Sequence, residues 1–196
     1  MIILISGPPQ CGKDTAVKFI QQLLPYHHTK HMKLSQPLKA GLRNIFNMND
    51  AEMRVLEEFK DDPDFGYNDV SYRDMQIKLF QSLEKDYGPS ILGDIFVRRS
   101  ANTSAKFIIV SDAGRVAEVE PIIQHRRTKQ STVDDIGLIE VHRPSCSFDN
   151  DIREYMPDSI KSKLRHVAVI DNKYDLELYK AQIRRVLTQW GLIDAD

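Results

Sequence analysis

The run Gly7-Pro-Pro-Gln-Cys-Gly12-Lys13 constrains this chain more than any other stretch. It follows the short apolar segment from Met1 to Ser6 and precedes Asp14 to Leu24, whose apolar spacing predicts a helix. Strand, glycine-bounded loop, lysine and helix are the context in which G-x-x-x-x-G-K forms a phosphate-binding loop. Glycines let successive backbone N–H groups turn inward around an anion, and the helix N-terminus adds its positive dipole end. Gly7, Gln10, Cys11, Gly12, Lys13, Asp14 and Thr15 are thus candidates for nucleotide binding, with Lys13 reaching the β- and γ-phosphates. Such loops usually carry Ser or Thr where this one has Asp14, and Thr15 places a hydroxyl one residue later. A carboxylate beside a triphosphate repels it unless a cation lies between them. Asp14 either helps to hold hydrated Mg²⁺ or turns away and caps the helix, and the sequence leaves both open.

With 196 residues the chain fits a single domain, 1–196, with a small mobile lid at about 144–158. A net charge of −1 gives no electrostatic footprint for nucleic acid or an anionic membrane. Two cysteines, one inside the phosphate loop, do not make a disulfide framework. No Cys/His spacing suggests zinc, and the histidines between His27 and His31 read as part of a polar strand or an exposed turn. The apolar start is too short for a membrane span and runs straight into the loop, so a cytoplasmic protein is expected.

Further strands are expected at 27–34, 107–110, 136–141 and 167–170. Helices are expected from Ser35 onward (with Leu38, Leu42, Ile45 and Phe46 as its stripe), at 50–58, from Ser71 to about Tyr87, at 90–100, up to about Gln124, and at the C-terminus. A polar stretch runs from Arg126 to Asp135. In the Ser71 helix the predicted buried stripe is Tyr72, Met75, Leu79 and Leu83, with Arg73, Gln76 and Phe80 on another face. Apolar strands alternating with amphipathic helices predict an α/β fold, a parallel sheet covered on both faces in three layers. Ligands of such sheets bind beyond the carboxyl ends of the strands. Lys13, Asp112 and Arg143 all fall at or just past predicted strand ends and are expected to share one crevice.

Phosphoryl transfer needs two phosphates held in line and their charge neutralised. Lys13 can serve the donor, while Arg73, Arg115, Arg143 and Arg153 can serve the acceptor phosphate and the transition state. Asp112 can orient Mg²⁺ through water or accept from a substrate hydroxyl. Asn172-Lys-Tyr-Asp175 matches N-K-x-D, the guanine-reading motif of GTP-dependent switches. The other switch features fail: the third strand ends without D-x-x-G, and Asp134-Asp-Ile-Gly137 precedes a strand instead of following one. Asp175 reads better as the cap of the last helix.

In Gly12-Lys13-Asp14-Thr15, Pro37-Leu38-Lys39, Ser71-Tyr-Arg73-Asp-Met-Gln76, Ser111-Asp112-Ala-Gly-Arg115 with Glu118, and Phe148-Asp-Asn-Asp151-Ile-Arg153-Glu-Tyr155, the chain resembles the deoxynucleoside monophosphate kinases of tailed bacteriophages. That group is a branch of the P-loop nucleotide kinases. The chain departs from it at Ile152, where the group often has Ser. The resemblance implies a P-loop NTPase fold with a lid and ATP-dependent phosphorylation of a dNMP to the diphosphate with Mg²⁺. It implies Arg73 near the monophosphate, Asp112 near the catalytic centre and Arg153 closing over the phosphates; together with the residue readings above, Lys13, Asp112 and Arg153 are the catalytic candidates and Lys39, Arg73, Gln76, Arg115 and Arg143 those on the substrate side. Asp14, Thr15 and Asp112 would be candidates for the metal ion. It also implies a cytoplasmic enzyme, in the host if phage-encoded, and leaves room for a homodimer. Phosphomevalonate or dephospho-coenzyme A as acceptor, and more distantly a GTP-binding switch, are the competing readings.

Overall fold

A computed structural model describes residues 1–25, 28–128, 136–149, 151–173 and 175–194. His27, the polar stretch 129–135 with Asp134, Asn150 of the expected lid, and Tyr174 lie outside these residues. The elements run β1 (Ile2–Ser6), α1 (Lys13–Leu23), β2 (Thr29–Met32), α2 (Gln36–Ile45), α3 (Asp50–Glu58), a 3-10 turn (Pro63–Phe65), α4 (Tyr72–Tyr87), α5 (Ile91–Ala101), β3 (Phe107–Val110), α6 (Val116–Thr128), β4 (Ile136–His142), α7 (Asp158–Lys161), β5 (His166–Asp171) and α8 (Leu176–Gln189). They divide into two compact units, Met1–Leu34 with Gly93–Asp196, and Ser35–Leu92.

The first unit is built on a parallel sheet of order β2-β3-β1-β4-β5. Alternate residues of the strands supply two cores, because side chains of a strand point to opposite faces. Ile2, Leu4, Ile108, Val110 and Leu138 pack with Phe96 of α5, Val119, Ile122 and Ile123 of α6 and Ile160 of α7. Ile3, Ile5, Ile109, Ile139 and Val141 pack with Ala16, Val17 and Ile20 of α1 and with Tyr179, Ile183, Val186 and Leu187 of α8. Helices thus cover both faces, the expected three-layer arrangement. Central β1 is buried along its whole length, which explains its unbroken apolar sequence. At the edge, β5 alternates, and Val167 and Val169 face solvent.

In the second unit, Leu42, Met48, Leu56, Tyr72 and Met75 form one core, and Leu38, Phe80 and Leu92 another. Two expectations change here. Phe80, placed with Arg73 and Gln76 on a face other than the buried stripe, is buried at 4 % exposure against Leu38 and Leu92. The buried arc of α4 is wider than one stripe, with Tyr72 and Met75 on one flank and Phe80 on the other. The apolar stripe of α2 stops after Leu42, since Ile45 and Phe46 are exposed. Local caps follow the sequence: Asn49 and Glu52 form a reciprocal capping box on α3, and the Ser71 hydroxyl accepts from the Asp74 N–H at the start of α4. Among the described residues no helix is long and apolar enough to cross a membrane.

Candidate phosphate-binding site

The loop between β1 and α1 is shaped by close approaches that exclude side chains. A Cβ on Gly7 would lie 2.6 Å from the Val141 carbonyl oxygen and 2.7 Å from Cys11 Sγ. Gly12 caps α1 with φ of +105°, and a Cβ there would meet Asn172 Nδ2 at 2.4 Å. Gln10 also adopts a left-handed backbone, with φ of 61°. Two residues from the far end of the chain brace the loop. Asn172 Nδ2 donates to the Cys11 carbonyl at 2.8 Å, and the Tyr179 hydroxyl donates to the Gly12 carbonyl at 3.2 Å. Asp175 accepts from the Leu178 N–H at 2.8 Å and is the N-cap of α8. The N-K-x-D letters therefore hold a loop and start a helix. Asn172 and Tyr179 were not predicted in this role, because a hydrogen bond to a backbone carbonyl so distant in sequence leaves no local signal.

Lys13, the first residue of α1, turns its ammonium back into the loop. It donates to the Gly7 carbonyl at 2.6 Å and to the Pro8 carbonyl. Burial lowers its pKa, with the Cys11 sulfur opposing that shift and the Arg153 charge adding to it. The Cys11 side chain is fully buried beneath the loop, and burial raises its pKa. Arg143, just past β4, donates to the Gln10 carbonyl at 3.2 Å.

Asp14 sits in the first turn of α1 without capping it. Its carboxylate pairs with the Lys33 ammonium at 3.0 Å and accepts from the Ser111 hydroxyl at 3.2 Å. Burial alone would raise its pKa, but the Lys33 and Ser111 contacts outweigh burial and lower it. Since the Ser111 proton is given to Asp14, His31 Nε2 is the donor in its 2.8 Å contact with Ser111 Oγ. Burial and the Lys33 charge lower the His31 pKa, which favours the neutral ring. Lys33 was missed at the sequence level. The expected strand 27–34 enclosed it, and only the end of β2 at Met32 makes it a charged residue just beyond a strand end.

Asp112, past β3, accepts from the Leu34 N–H at 2.8 Å. This bond fixes the end of β2 beside the end of β3. Arg115 lies 3.4 Å from Glu118, whose carboxyl is pushed up to about 7 by burial against the opposing pull of Arg115. Arg153 forms a two-pronged pair with Asp151, Nε to Oδ1 at 2.8 Å and Nη2 to Oδ2 at 2.5 Å. This pair raises the arginine's pKa, and the charges of Asp112 and Glu118 add to the effect. The stem of Arg153 lies over Gly114, and the Glu154 N–H donates to the Gly114 carbonyl at 2.8 Å. Lys13, Asp14, Asp112, Arg115, Arg143 and Arg153 thus belong to the unit that carries the loop, while Thr15 is the half-buried third residue of α1.

Lys39, Arg73 and Gln76 belong to the second unit. There Lys39 is paired with Glu57, Arg73 with Asp61, and the Gln76 amide donates to the Tyr72 carbonyl at 3.3 Å. Among the described residues no group of three or more His, Cys, Asp or Glu gathers as a metal cage.

No protein-family model matches the chain. No curated protein sequence matches it. Among solved structures, a thymidylate kinase from Candida albicans is similar at 10% identity with a TM-score of 0.46, covering 97% of this chain and 92% of its own. A sugar kinase from Janibacter sp. is similar at 14% identity with a TM-score of 0.40, covering 99% of this chain and 98% of its own. The three-layer fold stands on the sheet order and the two buried faces described above.

Proposed function

We propose that the chain is a P-loop phosphotransferase that moves the γ-phosphoryl group of ATP to a deoxynucleoside 5′-monophosphate. The observation that carries this reading is the Gly7–Lys13 loop at the strand-to-helix junction, with the Lys13 ammonium turned into it. Loop N–H groups and Lys13 would hold the β- and γ-phosphates in place of the carbonyls that Lys13 now contacts. Arg115, Arg143 and Arg153 are the cations available to charge that builds on the moving group. An acceptor phosphate oxygen would attack the γ-phosphorus. The bond from that phosphorus to the β–γ bridging oxygen breaks, and ADP departs with its electron pair.

We assign Lys39, Arg73 and Gln76 to acceptor binding, on the strength of the family resemblance in their motifs. The segment 144–158, with Arg153, is assigned the role of lid on the same grounds. Asp14, Thr15 and Asp112 offer only oxygen donors, which suits Mg²⁺, an ion that keeps waters and substrate phosphates and needs few protein ligands. When bound, that ion would neutralise and orient the triphosphate.

A coupled ADP-release assay across the dNMPs, dephospho-coenzyme A and phosphomevalonate tests the reading. At least one dNMP should stimulate turnover, and Lys13→Ala should lower kcat by roughly 10²-fold or more. Turnover with another acceptor alone would move the substrate assignment, and an undiminished Lys13→Ala rate would remove the phosphate-loop argument.

A further inference from the structure

Asp14 places a negative charge in the first turn of α1, next to the lysine that is proposed to meet a triphosphate. That charge is unfavourable for an anionic ligand, and the fold answers it from another strand. Lys33, one residue past β2, reaches Asp14 with its ammonium 3.0 Å from Oδ1 and 3.4 Å from Oδ2. Ser111 and, behind it, His31 fix the carboxylate from the β3 side. The pair is half open to solvent, with side-chain exposures of 34% for Lys33 and 68% for Asp14. Exposed ion pairs add little to stability, so a structural role does not account for Lys33 and Ser111 both meeting Asp14, with His31 behind Ser111. Their common effect is to set the charge and position of one carboxylate at the mouth of the phosphate loop.

We propose that Lys33 is a functional residue of the nucleotide site, the resident counter-charge that lets a loop carrying Asp14 accept nucleotide phosphates in the absence of a metal ion. This rests on the phosphate-loop reading above. Lys33 acts through Asp14, so its importance depends on the carboxylate being there. The conservative arginine keeps the charge, and methionine keeps the stem without it.

The test is the affinity for ATP in EDTA, measured by calorimetry on the full chain, for wild type, Lys33→Arg, Lys33→Met, Asp14→Asn and the double variant Asp14→Asn/Lys33→Met. Lys33→Met should bind about tenfold more weakly or worse, because Asp14 then faces the phosphates uncompensated. Lys33→Arg should remain within about threefold of wild type. The double variant should recover to within about threefold of Asp14→Asn, since removing both charges removes their coupling. Melting temperatures should stay within about 2 °C of wild type, separating the effect from misfolding. Equal affinity of Lys33→Met and wild type would overturn the proposal. So would a double variant as weak as Lys33→Met, which would mean that Lys33 touches the phosphates independently of Asp14. A wild-type chain that binds no ATP with or without Mg²⁺ would instead remove the phosphate-loop reading on which the proposal stands.

Discussion

Glu118 is a carboxylate that the fold buries. It lies in the first turn of α6, buried at 5 % exposure beside Arg115. Its pKa of about 7 lies above the ordinary value of 4.5, so the folded chain binds this proton more tightly than the unfolded chain. The stability it contributes is full below the unfolded pKa and is lost as pH rises through the folded one. For a shift of this size the loss is roughly 3 kcal/mol. Glu118→Gln keeps the neutral form at every pH. Its stability relative to wild type should therefore rise between about pH 4.5 and about pH 7 in urea unfolding, and a pH-independent difference would contradict this. At this scale the sequence showed which residue types were present but not which were paired. Asp14 is the clearest case: two roles were open, and its partners Lys33 and Ser111 come from strands distant in the chain.

Among the elements, helices and strands were largely legible because their signals are local. Expected strand 107–110 coincides with β3, and of the expected C-terminal stripe Tyr179, Ile183, Val186, Leu187 and Trp190 the first four are the buried face of α8, while Trp190 is its half-buried C-cap. The expected helix up to about Gln124 runs on to Thr128, with Pro121 inside it. The start of α8 also resolves the N-K-x-D coincidence, since Asp175 accepts the Leu178 N–H. Asp175→Ala should lower stability by about 1 kcal/mol, the usual cost of a lost N-cap. The same variant should leave the ratio of ATP to GTP affinity unchanged. A thermal melt and paired nucleotide titrations check both, and a selective loss of GTP binding would restore the guanine-reading role. Periodicity failed at Phe80, because a helix packed on two flanks buries an arc that a single stripe does not describe.

In the whole molecule, each of the two compact units has its own apolar core. Phe80→Ala should cost about 3–5 kcal/mol, the range for removing a buried aromatic side chain. Hydrogen exchange should place that loss in the second unit, with α2 and α4 amides exchanging faster while those of β1, β3 and β4 keep their protection. Equal loss in both units would show that they open together. By itself the sequence determined the glycine-bounded loop between β1 and α1, the type and approximate bounds of most elements, and the parallel three-layer class. Each follows from glycine placement, residue spacing or alternation within a short window. Only the tertiary structure decided the order β2-β3-β1-β4-β5. That order sets β1 between β3 and β4, so the residues following those strands, Asp112 and Arg143, flank the loop that follows β1. It also decided that Lys33 meets Asp14, and that Asn172 and Tyr179 brace the loop. Strand order and charge pairing are choices among distant partners, settled by which arrangement buries both faces of the sheet and satisfies the polar groups at its carboxyl edge.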